Sequence, residues 1–303
     1  EQELANYGML LWGNMHHNYK QASMGYDDES DFSGIYHKNR NWTNPNLVGY
    51  MESHDEQRIM YENLNYGNSN SSGSYNITEL NTALNRIKLS SAFFFTVPGP
   101  KMFWQFGELG YEIDINQNGR TGEKPIRWDY YQDQTRKKLY DTYKALIRLR
   151  NSHEAFTSNT SDVTLDVNDA TKRITISHPE LEVRIAGNFG VTDTDLQPQF
   201  SQTGDWYDFF SGDTLSVNNT DTTIAMSAGE FHIYTTQKFA APAEDLLTFI
   251  PTPINLDISK PPDGPPTSHD YRFVALPGQP HADLSNVLSG TPSVDCQAYC
   301  DNA

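Results

Sequence analysis

The chain has 303 residues, which is enough for two or three domains and a sizeable hydrophobic core. It carries 39 acidic residues against 22 basic ones, a net charge of −17, and its lysines and arginines form no cluster. This balance argues against nucleic acid or an anionic membrane as a partner and favours a neutral or cationic ligand. No apolar run is long enough to span a bilayer, so a transmembrane helix is not expected.

Two short apolar runs near the start predict buried strands, and polar residues follow each of them. The first run is Met9–Asn14, and the second is Leu47–Met51, which comes shortly after a proline. The polar residues 20–46 between them predict a loop with at most a short helix. Ligands bind at the carboxyl ends of strands in barrels and open α/β sheets, so Glu52–Arg58 is either a solvated loop or one wall of an active site.

A strand–helix–strand pattern follows, which is typical of a parallel sheet. After a polar loop over residues 63–75, apolar residues at helical spacing predict a helix over about 77–94, with Asn76 as its cap. Lys101–Phe106 predicts a third short buried strand. Asp133 can cap a further helix, which has one apolar stripe and two arginines in its last turn.

The pattern changes beyond residue 157, where short alternating strands predict an antiparallel β-sandwich over residues 158–238. Prolines crowd residues 239–270 and predict a semi-rigid linker. Residues 271–303 contain both cysteines, Cys296 and Cys300, and are too few for a core of their own. This tail either resembles the start of an apple/PAN module or is an arbitrary disordered segment. The predicted strands of the sandwich are Val163–Leu165, Arg173–Ile176, Glu182–Ile185, Trp206–Phe210, Thr222–Met226 and Phe231–Thr235.

The segments Leu47–Arg58 and Pro98–Glu108 together resemble two motifs of the α-amylase family, glycoside hydrolase family 13. The first is similar to the end of the family's seventh barrel strand, which runs into Asn-His-Asp. Here Ser53 stands in the place of the asparagine, and His54 and Asp55 are intact. The second is similar to the eighth-strand motif, which is Gly-x-Pro followed by aromatic residues, Gly and Glu. The spacing of the motifs and the domain that follows them agree with the family pattern.

The resemblance covers roughly residues 1–237 and implies an α/β plus all-β fold. Residues 1–157 then form the C-terminal part of a (β/α)8 barrel, with strands six to eight, and residues 158–238 form the β-sandwich domain C. A Pro-rich tail follows. Because a full barrel takes about 250 residues, we expect residue 1 to be a cut end. Three barrel strands alone leave open sheet edges.

The resemblance also implies retaining hydrolysis of starch and related α-1,4-glucans. Asp55 is then the aspartate that stabilises the oxocarbenium-like transition state, and His54 donates a hydrogen bond to the sugar at the cleavage point. Arg58 and the flanking glutamates support them, and Arg58 could keep one carboxylate ionised. Trp12, Trp104 and Trp128 are candidates for sugar stacking, although a barrel-core position is favoured for Trp12 and is open for Trp104. The residues assigned to substrate binding are His54, Glu52, Arg58, Trp104 and Glu108.

The family's nucleophile and acid/base belong to strands four and five, and neither strand is recognised in this sequence. We therefore expect little or no hydrolysis from the chain alone. A catalytic dyad improvised from Glu52, Asp55 and Glu108 is disfavoured. The sequence is also compatible with a non-catalytic α-glucan-binding protein and with a transferase or branching enzyme of the same family.

Neither a metal site nor a cofactor is predicted with residues of this chain. The loop Asp114–Gly119 resembles the first half of a calcium loop, but Pro125 stands where an EF-hand requires Glu. Calcium binding stays open for a complete enzyme. The expected partners are an α-glucan polysaccharide or oligosaccharide and, through open sheet edges, a second copy of the chain. The expected location is secreted or periplasmic.

Overall fold

The computed structural model describes residues 1–243 and 245–247. Most of the predicted Pro-rich linker and the whole cysteine-containing tail lie outside the described residues, together with the predictions made for them. The described helices are α1 (Gln2–Tyr7), α2 (His16–Met24), α3 (Ile59–Tyr66), α4 (Leu80–Phe95) and α5 (Gln134–Ser152). None of these helices has the length and apolarity that crossing a membrane requires.

A parallel sheet joins the three strands predicted in the first half of the chain. Its strands, in spatial order, are β1 (Leu11–Asn14), β2 (Leu47–Tyr50) and β3 (Lys101–Met102). All neighbours are parallel, and Asn14, Tyr50 and Met102 stand side by side at the carboxyl ends. The predicted parallel arrangement is confirmed. Because β2 lies in the middle, the segment that follows it is flanked by the ends of both neighbouring strands.

The third strand is shorter than the predicted Lys101–Phe106. Only two residues pair with β2, and the chain then turns, with the Gly107 amide donating to the Trp104 carbonyl at 3.0 Å. Phe106 takes a left-handed conformation with φ of 60°, which a strand cannot contain. The aromatic residues that suggested a longer strand therefore pack within a turn at the edge of the sheet.

Two helices extend into stretches that were predicted as loop, although the prediction for residues 20–46 allowed a short helix. Helix α2 begins at His16 directly after β1, and α3 extends to Tyr66, four residues into the predicted loop 63–75. Asn63, a residue type common in loops, is fully buried in α3, and its amide donates to the Ser23 hydroxyl at 2.8 Å. A tertiary contact thus overrides the local preference of asparagine for turns.

Helix α4 starts at Leu80, and the predicted cap at Asn76 is wrong. The Asn76 side chain accepts a hydrogen bond from the Thr78 amide at 3.0 Å, which closes a turn before the helix. The cap of α5 is confirmed, because the Asp133 carboxylate accepts from the amides of Thr135 and Arg136 at 2.8 and 3.1 Å.

The second half of the described chain forms antiparallel sheets. The strands are β4 (Asp162–Asp166), β5 (Thr171–His178), β6 (Leu181–Asn188), β7 (Thr194–Leu196), β8 (Gly204–Asp208), β9 (Thr214–Val217), β10 (Ile224–Met226) and β11 (Phe231–Thr235). A six-stranded sheet has the order β4–β5–β6–β11–β8–β9, and β7 pairs with β10 in a separate two-stranded sheet. Each predicted strand of this region is present, whereas β7 and β9 were not predicted.

One hydrophobic cluster connects the helices around the parallel sheet with the six-stranded sheet. Phe93 of α4 packs edge-on against Phe189 at the end of β6, with ring centres 5.1 Å apart. The fully buried Arg86 adds a polar connection, because its guanidinium donates to the carbonyls of Ala22 and Phe189. The two halves therefore share buried apolar and polar contacts, which fix the sheet on which the candidate site lies.

Candidate functional site

Polar side chains gather at the carboxyl ends of the parallel strands. Asn14 ends β1, Ser53–Arg58 follows β2, and Trp104 follows β3. Side chains alternate along each strand, so Trp12, Asn14 and Tyr50 lie on one face of the sheet, which is the more exposed face. The parallel sheet thus has one more exposed face and a polar carboxyl-terminal edge.

His54 and Asp55 are the most exposed groups of this edge. Their side chains are 71% and 72% exposed, and His54 Nε2 lies 3.4 Å from Asp55 Oδ2. The imidazole also lies against Trp104, with ring centres 5.7 Å apart. The structure therefore brings three predicted site residues together, each accessible to a ligand that approaches the strand ends.

Arg58, by contrast, is only 3% exposed. Its guanidinium donates to the Ser53 carbonyl at 2.7 Å and lies over the Tyr111 ring. The assignment of Arg58 to direct substrate contact does not fit this burial. Its role is to hold the backbone that enters the His54–Asp55 turn.

Glu52 and Glu108 lie together away from the exposed pair. The Glu52 carboxylate accepts from the Ile59 amide at 2.6 Å, which satisfies the start of α3. A Cβ atom at Gly107 would lie 2.9 Å from the other Glu52 oxygen, so the glycine of the second motif makes room for this carboxylate. The predicted substrate contacts of Glu52 are thus replaced by contacts inside the protein.

Burial raises the pKa of both glutamates. For Glu52, burial outweighs the opposing effect of the Arg58 guanidinium, and the neighbouring Glu108 raises the pKa further. For Glu108, burial is again the main cause, and its Oε2 atom is buried without a hydrogen-bond partner. Burial in a low-dielectric site and a neighbouring carboxyl group both disfavour the charged form of a carboxyl group. Asp55 contacts His54 instead. The carboxylates of Glu52, Glu108 and Asp55 therefore do not form one cluster.

Asn14, Gln57 and Arg120 contribute to the site without having been predicted. The Asn14 amide donates to Glu56 Oε1 at 2.7 Å, across 42 positions of sequence. Arg120 donates to the Asp55 carbonyl from the loop after β3. The position of Asn14 at a strand end was a usable signal, whereas nothing in the sequence marks the long-range contact of Arg120.

Gln57 and His16 hold the loops around the site. The Gln57 amide donates to Asp114 Oδ1 at 2.8 Å, and its carbonyl side-chain oxygen accepts from the Ile115 amide. Burial lowers the pKa of His16 to about 4, so at neutral pH its Nε2–H donates to the Gln57 backbone carbonyl at 2.8 Å. These contacts tie the ends of β1 and β2 to the loop that begins with Asp114.

Of the three candidate tryptophans, Trp12 differs from the position that the sequence favoured. Trp12 is 66% exposed, so its predicted place in a barrel core is wrong for the described structure. Its ring packs in a T-shaped contact with Tyr50, with ring centres 5.8 Å apart. Trp128 is 67% exposed, and Trp104 is half-buried beside His54. All three have ring surface available for contact with a ligand.

The loop Asp114–Gly119 forms a polar turn. The Asp114 carboxylate accepts a hydrogen bond from the Asn116 amide at 2.9 Å and another from the Gln57 side chain. These hydrogen bonds lower the pKa of Asp114. The described residues contain no group of three or more His, Cys, Asp or Glu side chains arranged to hold a metal ion. The polar groups of the turn form hydrogen bonds within the loop and with Gln57.

This chain is similar to known proteins in structure but not detectably in sequence. No family model matches the sequence, and no curated protein matches it either. An α-amylase from Geobacillus thermoleovorans, crystallised with acarbose, matches 73% of this chain and 46% of its own, with 16% identity and a TM-score of 0.55. The cyclomaltodextrin glucanotransferase CldA matches 73% of this chain and 43% of its own, with 18% identity and a TM-score of 0.55. AmyP, crystallised with maltose, matches 77% of this chain and 50% of its own, with 12% identity and a TM-score of 0.52.

These matches show a shared fold. Over about three quarters of its length, the chain has the fold of α-amylase-family enzymes, so the resemblance noted in the two motifs is confirmed at this level. The chain spans about half the length of each of these structures. At such low identity, the matches define the class of fold, and the activity has to be argued from the site.

Proposed function

We propose that this chain is part of an α-amylase-type glycoside hydrolase that acts on starch and related α-1,4-glucans. The observation that carries the proposal is the exposed His54–Asp55 pair beside Trp104, at the end of the middle strand of a parallel sheet. The shared fold with α-amylase-family enzymes supports it independently. In this proposal the three parallel strands are barrel strands six to eight over residues 1–157, and the antiparallel sheets over residues 158–238 are domain C.

The chemistry assigns separate roles to the three exposed groups. A carboxylate beside the cleavage point stabilises the positive charge that develops in an oxocarbenium-like transition state, and Asp55 takes this role. His54 donates a hydrogen bond to a sugar hydroxyl, and the face of Trp104 packs against the apolar face of a pyranose ring. These groups bind the sugar without forming or breaking a covalent bond to it.

The covalent steps of retention need two further carboxyl groups, about 5–5.5 Å apart, on opposite sides of the scissile bond. We assign the nucleophile and the acid/base to strands other than the three described here. This follows from the site, in which Glu52 and Glu108 are partly buried and Glu56 is bonded to Asn14 and Ser53. The chain alone then supplies the sugar-binding part of the site and has little or no hydrolytic activity.

Isothermal titration calorimetry with maltotriose tests the binding role. We expect the full chain to bind this sugar and Asp55→Asn to bind it about tenfold more weakly, because one charged hydrogen-bond acceptor is lost. Asp221→Asn, an exposed aspartate near β10, is the matched control and should bind like the wild type. Equal affinities for all three proteins would refute the role of Asp55. Rapid release of reducing sugar from soluble starch by the chain alone would contradict the assignment of the covalent steps.

A glucan transferase is a second candidate, because the TM-score with a cyclomaltodextrin glucanotransferase equals that with an α-amylase. Hydrolase and transferase differ in the acceptor, water or a second sugar, and the described site does not select between them. A non-catalytic glucan-binding protein is the third, since the described strands supply binding groups only. Retention of the chain on insoluble starch without any hydrolysis or transfer by the complete protein would favour this third function.

We also propose that the chain associates with a second copy through the open edge of its parallel sheet. Strand β1 has a partner on one side only among the described residues. The exposed apolar side chains next to this edge are Leu4, Tyr7, Met9, Leu10 and Trp12. An edge strand with an apolar surround is a template for pairing with another chain. Sedimentation velocity at increasing concentration tests this, and a constant monomer value would refute it.

A further inference from the structure

Glu56 lies between the ends of β1 and β2, and both of its carboxylate oxygens are engaged. Oε1 accepts from the Asn14 amide at 2.7 Å, and Oε2 accepts from the Ser53 hydroxyl. The Asn14 side chain is fixed at its other end as well, because its oxygen accepts from the His16 amide at 2.9 Å. Glu56 therefore connects the two strand ends through side chains.

Ser53 links Glu56 to Asp55 through hydrogen bonds. The serine is 6% exposed, and its hydroxyl oxygen accepts from the Asp55 backbone amide at 3.2 Å. A carboxylate only accepts hydrogen bonds and a backbone amide only donates them. The donor and acceptor of each hydrogen bond are therefore fixed. The Asp55 N–H donates to Ser53 Oγ, and the Ser53 O–H donates to Glu56.

The backbone amide and the backbone carbonyl of Asp55 are both hydrogen-bonded, whereas its carboxylate is exposed. Arg120 donates to the Asp55 carbonyl from one side, and the Ser53 hydroxyl receives the amide proton on the other. Ser53 is also the position at which this sequence departs from the Asn-His-Asp pattern of the family it resembles. The serine–glutamate pair supplies the contact that orients the turn in this chain.

We propose that Glu56 is a positioning residue, which orients Asp55 through Ser53 and holds the Asn14 side chain at the end of β1. The proposal rests on the proposed function, since it deepens the account of the same sugar-binding site. It also makes a claim about the free protein, namely that the Asp55 amide is protected through Glu56. The two claims are tested separately.

Amide hydrogen exchange of the full chain tests the claim about the free protein. Glu56→Ala leaves the Ser53 hydroxyl free to rotate, so exchange at the Asp55 amide should become about fivefold faster. Glu56→Gln should have a smaller effect, because its amide oxygen can still accept one of the two hydrogen bonds. Glu123→Ala, which removes an exposed carboxylate in the loop after β3, is the matched control and should leave Asp55 unchanged. Unchanged exchange at Asp55 in Glu56→Ala would overturn the inference.

Titration of the same variants with maltotriose tests the link to the sugar. The expected result is an affinity about fivefold lower for Glu56→Ala, an intermediate value for Glu56→Gln, and the wild-type value for Glu123→Ala. If exchange at Asp55 changes but affinity does not, the positioning role toward the sugar is wrong. If the wild type itself does not bind maltotriose, the proposed function fails, and the exchange data alone decide whether Glu56 orients Asp55. Should Glu56→Ala not fold, Glu56→Gln carries both tests.

Discussion

At the scale of single residues, burial separates the charged groups that can meet a ligand from those that hold the fold. Asp55 is exposed and Arg58 is buried, although they lie three positions apart. The sequence placed both at a strand end correctly, because an apolar run followed by charges marks this boundary. It could not tell them apart, since the direction of each side chain depends on where the chain turns after Tyr50. The Asn14–Glu56 contact was also beyond reach, because 42 residues separate its partners.

His232 provides a residue-scale prediction outside the candidate site. Its Nδ1 lies 2.7 Å from Asp208 and its Nε2 lies 3.0 Å from Glu230. Burial alone would lower its pKa, but the two hydrogen-bonded carboxylates raise the pKa of His232 to about 9. A group whose pKa is raised by folding stabilises the folded protein fully below its unfolded pKa, about 6.5, and this contribution is lost as the pH rises through about 9.

Urea unfolding at pH 6.5 and pH 9.5 tests this expectation. At pH 6.5, His232→Gln should lower the free energy of unfolding by about 2 kcal/mol, because charged hydrogen bonds are lost. At pH 9.5 the difference between variant and wild type should shrink. His17→Gln, which replaces an exposed histidine on α2, is the control and should match the wild type at both values. An equal deficit of His232→Gln at both pH values would show that the histidine does not act through its charge.

At the scale of elements, the sequence predicted best where local signals decide the structure. Helix α5 has both a cap, Asp133, and an apolar stripe, and it was predicted with its correct start. The start of α4 was missed because Asn76 uses its side chain for a turn. The length of β3 was missed because Phe106 adopts a left-handed conformation that no local pattern indicates. Element boundaries that depend on a single side-chain turn or on an unusual backbone conformation thus escaped the prediction.

Strand β1 gives the element-scale prediction, because it is an edge strand with a large exposed side chain. If β1 forms the contact between two copies, Trp12→Ser should weaken self-association about tenfold, since the contact loses a large apolar side chain. Trp128→Ser is the matched control, because Trp128 is equally exposed but lies outside the parallel sheet. Sedimentation velocity of both variants measures the effect. Equal weakening by the two substitutions would argue against β1 as the interface.

At the scale of the whole molecule, buried and half-buried cations connect the parts through backbone carbonyls. Arg86 joins α2 to the end of β6, Arg150 joins α5 to the segment after α4, and Lys88 donates to the Leu246 carbonyl at 2.7 Å. Carbonyls at the ends of helices and strands have no partner within their own element, and a buried guanidinium satisfies several of them at once. The composition could not predict this use of charge.

The most direct test of the central claim is a map of amide chemical-shift changes when maltotriose is added to the full chain. We expect the largest changes on His54, Asp55 and the neighbouring Trp104, at the carboxyl ends of the parallel strands. Asp55→Asn should reduce these changes at equal sugar concentration. Changes that cluster on the antiparallel sheets, with His54 and Asp55 unaffected, would contradict the claim that this strand end is the sugar-binding site.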